Sequence, residues 1–160
     1  MNIQHILLVE DDLRDEELTV TALEASNLAN QVMVARDGEE ALDFLFCRGN
    51  YASRSSGNPV VILLDLKMPK IDGLEVLKII KADAKLKVIP VVVLTSSRET
   101  PDLIECYAHG VNAYVVKPVD FGDFMKAVKL LGVFWVAVNE PPPVIGRDAK
   151  PLLNRMVVFP

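Results

Sequence analysis

Glu10, Asp11, Asp65, Thr95 and Lys117 are the residues of this chain whose types and places could do chemistry. Asp65 closes an unbroken apolar run, Val60-Val61-Ile62-Leu63-Leu64, entered through Pro59. Such a short, β-branched run reads as a strand buried on both faces, and a carboxylate at its C-terminal end has no core role. Glu10-Asp11-Asp12 follows a second such run, Ile6-Leu7-Leu8-Val9. Thr95 follows a third, Val91–Leu94, and Lys117 a fourth, Ala113–Val116. Helix capping accounts for Asp12 but leaves Glu10 and Asp11 unexplained. Three carboxylates brought into one cleft repel unless a cation joins them. Hard oxygen donors with no His or Cys nearby point to Mg²⁺. A hydroxyl (Thr95) and an ammonium (Lys117) beside a metal-bound carboxylate suit a phosphoryl group, whose oxygens need donors and countercharge.

These residues share a cleft only if the strands that carry them lie side by side. Five apolar runs, the four above and Val32–Ala35, alternate with five helical patterns. That alternation predicts a parallel sheet with helices on both faces. Right-handed crossovers then favour a doubly wound, flavodoxin-like α/β fold of strand order 2-1-3-4-5, in which ligands sit at the C-terminal strand ends. Asp12, Asp37, Asp72 and Asp120 each have an acid three residues on, at Asp15, Glu40, Glu75 and Asp123. The spacing resembles a capping box, and the helix dipole also favours acids there. Thr100 is expected to cap the fourth helix with Pro101 at its first position, and Gly110 to close it. The polar stretch Gly49 to Asn58 reads as a mobile surface insertion.

The chain has 160 residues, 51% apolar and 24% charged, with a net charge of −5. These values suit one globular domain and disfavour nucleic-acid binding, which rests on basic patches. No apolar stretch is long enough to span a bilayer, and the start lacks a signal-peptide pattern. Cys47 and Cys106 form no metal or redox spacing, so a cytoplasmic location is expected.

With these motifs in place, the chain resembles a response-regulator receiver domain of two-component signalling. The matching pieces are Leu8-Val9-Glu10-Asp11, Leu64-Asp65 through Met68-Pro69, Asp72-Gly73, Leu94-Thr95-Ser96 and Val116-Lys117-Pro118. The resemblance covers about Ile3 to Val138, with residues 139–160 as a Pro-containing tail too short for a DNA-binding output domain. It implies that the protein is a phosphoacceptor signalling protein and not a classical enzyme. Asp65 would accept a phosphoryl group from a sensor histidine kinase, then hydrolyse it slowly. Asp11 and Asp65 would bind Mg²⁺ directly, Glu10 would help through water, and the Lys67 carbonyl would complete the protein ligands. Thr95 and Lys117 would contact the phosphoryl oxygens. Tyr114 falls at the family's switch aromatic, so phosphorylation would bias a surface that an unnamed downstream protein reads. The motif also leads us to expect a cis Lys117–Pro118 peptide. Glu10 stands where many receivers have Asp, and Lys67 adds a charge beside the site. The Glu-Asp pair, the Asp37–Leu42 segment and the long loop before the third strand resemble the stand-alone receivers that partner bacterial phytochromes.

Two other readings compete with this one. A flavin-binding electron carrier of the same topology would need a hydroxyl-rich loop after the first strand, where this chain has acids. A receiver-shaped scaffold that never turns over phosphate would not need the full acid, Thr and Lys set. Finally, Phe121, Phe124, Val128, Leu131 and Trp135 recur at helical spacing, and Leu130 to Val138 is wholly apolar or Gly. An edge helix should keep a polar face. This one points to a homodimer through Leu130–Val138 more than to coverage by the chain's own tail, whose Met156-Val157-Val158-Phe159 end is apolar.

Overall fold

The computed structural model describes residues 5–28, 31–55 and 57–143. The apolar end of the tail lies outside these residues. Five strands alternate with five helices: β1 (Ile6–Val9), α1 (Leu13–Glu24), β2 (Val32–Ala35), α2 (Gly38–Leu45), β3 (Val61–Leu64), α3 (Gly73–Ala82), β4 (Val91–Thr95), α4 (Thr100–Ala108), β5 (Ala113–Val116) and α5 (Phe121–Val133). All strand pairs are parallel, in the expected order β2-β1-β3-β4-β5. β1, β3 and β4 are buried along their whole length, which is why they read as continuous apolar runs rather than alternating ones. α2, α3 and α4 build one core against the sheet through Leu42, Leu77, Ile80 and Cys106. On the opposite face, α1 and α5 build a second through Ala22, Leu23, Phe124 and Val128.

The Asp caps form as the spacing predicts. The side chains of Asp12, Asp37, Asp72 and Asp120 accept from the backbone N–H of Asp15, Glu40, Glu75 and Asp123 at 2.8–2.9 Å. The reciprocal half of the capping box is replaced by other bonds in two cases. Glu40 accepts from the Arg36 N–H, and Asp15 reaches Lys117. In each case the acid takes a partner from outside its own helix. At the fourth helix the cap is Glu99, not Thr100, and Thr100 begins the helix. The Ser97 hydroxyl accepts the Glu99 N–H and is bonded to Asp102, so this terminus is dressed from the preceding loop. Gly110 follows with φ of +85°, as a C-terminal glycine should.

The insertion before β3 is held to the body, against the expectation of a mobile loop. Gly49–Tyr51 forms a 3₁₀ turn. The Tyr51 ring meets Phe44 edge-on at 5.3 Å, and its hydroxyl donates to Glu40 at 2.7 Å. The Arg54 guanidinium lies 4.0 Å over Phe44 and donates to its carbonyl oxygen. These contacts replace the apolar anchoring that the polar sequence lacks.

Cys106 is fully buried, and burial pushes its thiol pKa up to about 11. Cys47, at the end of α2, is half-buried. A thiolate is the reactive form. A disulfide reagent at neutral pH should therefore label one thiol of the native protein and the second only on unfolding. Rapid labelling of both would contradict the packing of α4.

Candidate functional site

The ladder sets Glu10 and Asp65 beside each other. Val9 pairs with Leu64 in register. One residue further on, the Glu10 N–H donates to Ala35 and the Asp65 N–H to Val9. Both carboxylates thus emerge at the C-terminal edge on adjacent strands, and both residues are buried. Asp11 is exposed beside them. Carboxylate oxygens of Glu10, Asp11 and Asp65 lie within 4.8 Å of one another. Three hard oxygen donors at that separation fit a divalent cation.

The two oxygens of Asp65 are distinct. Oδ1 accepts the Leu66 N–H at 2.8 Å, which fixes the side-chain rotation. Oδ2 faces the Lys117 ammonium at 3.2 Å. Lys117 is fastened at its root, where its N–H donates to the Thr95 carbonyl at 2.7 Å. Its side chain is almost fully buried, and its Nζ meets Glu10 at 2.7 Å and Asp15 at 2.8 Å as well. Burial alone would pull the Lys117 pKa down, but hydrogen bonds and charges from Asp15, Glu10 and Asp65 outweigh it and the net shift is upward. Burial likewise raises the Glu10 carboxyl, to about 7, against the opposing pull of Lys117. The Lys117–Pro118 peptide is trans, contrary to expectation. The backbone anchor to Thr95 and the long lysine stem already deliver the ammonium into the cleft, so no reversal of the chain is needed.

Thr95 ends β4 fully buried, and its hydroxyl oxygen accepts the Ser97 N–H at 3.2 Å. The Ser97 carbonyl in turn accepts the Tyr114 hydroxyl at 3.0 Å. The Lys67 side chain leans away from Asp65 and pairs with Asp102 at 3.5 Å. All six residues singled out from the sequence therefore gather at one sheet edge. Asp15 was missed there as a site residue. In the sequence it reads only as the acid three residues after its cap, Asp12.

The arrangement can hold a cation, present one carboxylate oxygen to an electrophile, and neutralise the anion that follows. The profile described as response regulator receiver domain matches residues 6–129. Response regulator Rcp1 of Synechocystis sp. is 43% identical over 131 residues, 82% of this chain and 88% of Rcp1. The structure of its Mn²⁺-bound form superposes with a TM-score of 0.81 at 41% identity, covering 88% of this chain and 99% of that one. The phosphorylated cyanobacterial phytochrome response regulator RcpA gives a TM-score of 0.82 at 41% identity, with 88% and 99% coverage. The bacteriophytochrome response regulator AtBRR is 59% identical, with a TM-score of 0.70 and coverage of 88% and 100%.

Proposed function

The chain belongs to the response regulator receiver domain family, and on that premise we propose that Asp65 receives a phosphoryl group from the phosphohistidine of a sensor histidine kinase. The observation that carries this reading is the Lys117 ammonium joined to both Glu10 and Asp65, with Asp11 alongside. Asp65 Oδ2 attacks phosphorus, the P–N bond to the kinase histidine breaks, and the electron pair leaves with the imidazole. The Leu66 N–H holds the other carboxylate oxygen, so one oxygen is presented in a fixed direction. Lys117 countercharges the phosphoryl oxygens, and the Thr95 hydroxyl has its proton to donate to one of them. Mg²⁺ held by Glu10, Asp11, Asp65 and the Lys67 carbonyl would supply further charge neutralisation. The catalytic contribution is therefore positioning and electrostatics, which suits a signalling protein that turns over its own phosphoryl group slowly.

Two relatives named as phytochrome response regulators, RcpA and AtBRR, support a bacteriophytochrome as the cognate kinase. The family assignment removes the electron-carrier reading, and the acids after β1 would in any case repel a bare phosphate. The test is incubation with acetyl phosphate and MgCl₂, followed by intact mass measurement. One added phosphoryl group is expected; no gain would return the chain to the scaffold reading. Phosphotransfer from a panel of labelled kinases, bacteriophytochromes included, then identifies the donor.

The output surface is proposed to include a homodimer along α5. Phe124 and Val128 are buried, but Leu130 is 72% exposed, Phe134 47% and Val138 67%. A π-helical turn, Phe134–Val138, extends the helix. Trp135 is half-buried against the α1–α5 core and meets Phe134 edge-on, and Leu130, Val133, Phe134 and Val138 are left exposed at this end of the helix. Burying such side chains is worth about 1.5–3 kcal/mol each. Phe121, the first residue of α5, is exposed. Phe134→Glu should turn a dimeric wild type into a folded monomer by light scattering. A wild type that stays monomeric at high micromolar concentration, phosphorylated or not, would refute the dimer.

A further inference from the structure

We propose that Asp15 is a positioning residue of this site: it holds the Lys117 ammonium as a counter-ion that the phosphoryl group displaces. The proposal rests on Asp65 being the acceptor. An ammonium has three protons to donate. Lys117 spends them on Glu10 at 2.7 Å, Asp15 at 2.8 Å and Asp65 at 3.2 Å. Before the reaction, then, no donor of Lys117 is left over for a phosphoryl oxygen. One of the three bonds must be given up.

The surroundings of the three acids decide which. Glu10 is enclosed, and its other oxygen accepts the Asp12 N–H. Asp65 cannot retreat, because it becomes the acyl phosphate and its other oxygen is pinned by Leu66. Asp15 is the outlier. Its side chain is 31% exposed, and it stands outside the group of three carboxylates that could share a cation. Its own N–H is satisfied by Asp12, so its carboxylate is not needed to cap α1. Water can replace Lys117 on Asp15 more readily than on the other two acids, because its carboxylate is the most exposed of the three. Asp15 is thus the bond released. Until then it draws the ammonium to the α1 side of the cleft, and the longest of the three contacts is the one to Asp65.

Asp15→Asn keeps the shape and removes the charge that competes for Lys117. With saturating MgCl₂, ¹⁹F NMR should show it binding beryllofluoride, a phosphoryl mimic, about tenfold more tightly than wild type, or about 1.4 kcal/mol. Asp15→Glu should restore wild-type affinity. In a Lys117→Met background the Asp15→Asn gain should vanish, because the effect runs through the lysine. A second readout needs no metal. The Lys117 ammonium should give a slowly exchanging ¹H–¹⁵N signal in wild type, and Asp15→Asn should broaden it. Asp15→Ser, checked for fold by circular dichroism, serves if Asn perturbs α1. Wild-type or weaker affinity in Asp15→Asn, or a gain that survives in Lys117→Met, would overturn the proposal. A wild type that takes up no beryllofluoride would instead overturn Asp65 as acceptor, which is a different result from a wild type that binds while the variant gains nothing.

Discussion

Asp65→Asn should leave a folded protein that takes up no phosphoryl group. Asn keeps an oxygen to accept the Leu66 N–H, so the turn after β3 survives. What it loses is the Oδ2 nucleophile, and in its place an amide would face Lys117. Glu10 and Asp15 still satisfy that ammonium. Removing one of several clustered carboxylates also relieves repulsion. We therefore expect a melting temperature within a few degrees of wild type, the lost bond to Lys117 being offset by the relieved repulsion. The measurement is intact mass after acetyl phosphate and MgCl₂, with labelling at background. Labelling that persists at the wild-type rate would move the acceptor elsewhere.

Gly73→Ala should cost stability that no rearrangement of side chains recovers. A Cβ at Gly73 would stand 2.0 Å from the Asp65 carbonyl oxygen and 2.7 Å from Leu66 Cα. Both obstacles are backbone, so the first turn of α3 must back away from the acceptor turn. The Gly73 N–H now donates to the Leu66 carbonyl at 2.8 Å, and that bond would stretch as well. We expect a loss of about 3 kcal/mol, the upper end of the overpacking range. For a chain of this size that is roughly 6–12 °C in melting temperature. Phosphorylation should slow too, because the residue pushed is Asp65 itself. Gly57→Ala is the control: nothing lies within 4 Å of its added Cβ. A Gly73→Ala protein that melts with wild type would show that α3 is not seated on the acceptor turn.

The sheet was legible because its central strands are buried on both faces and therefore unbroken in apolar character. Helix starts were legible because an Asp cap is a local bond between residues three apart. The site residues followed from both, since a strand's end is where its apolar run stops. The features that escaped are those decided by distant partners. Asp15 reads as a cap acid from its neighbours, whereas its carboxylate bonds to a lysine 102 positions away. The seat of the insertion depends on Arg54 meeting Phe44 across ten residues, which a polar loop sequence does not announce. The trans peptide at Pro118 escaped for another reason: lysine's reach, not the isomer of the next bond, decides whether the ammonium arrives.

Ser97 has every polar group of its residue engaged by a different part of the fold. Its N–H is held by Thr95, its hydroxyl by Asp102 on α4, and its carbonyl by Tyr114 on β5. The Thr95 oxygen keeps a lone pair on Ser97 even when its proton turns to another acceptor. A threonine pulled toward the acceptor would therefore tow one peptide unit, and that peptide unit is already tied to the helix and the aromatic ring. In mechanical language the loop is a drawbar: displacement at one end is passed on with little slack and little need for new contacts. The natural gauge of that motion is the Ser97 amide, whose hydrogen exchange reads the tension directly, two residues from the hydroxyl and without any probe on the output surface.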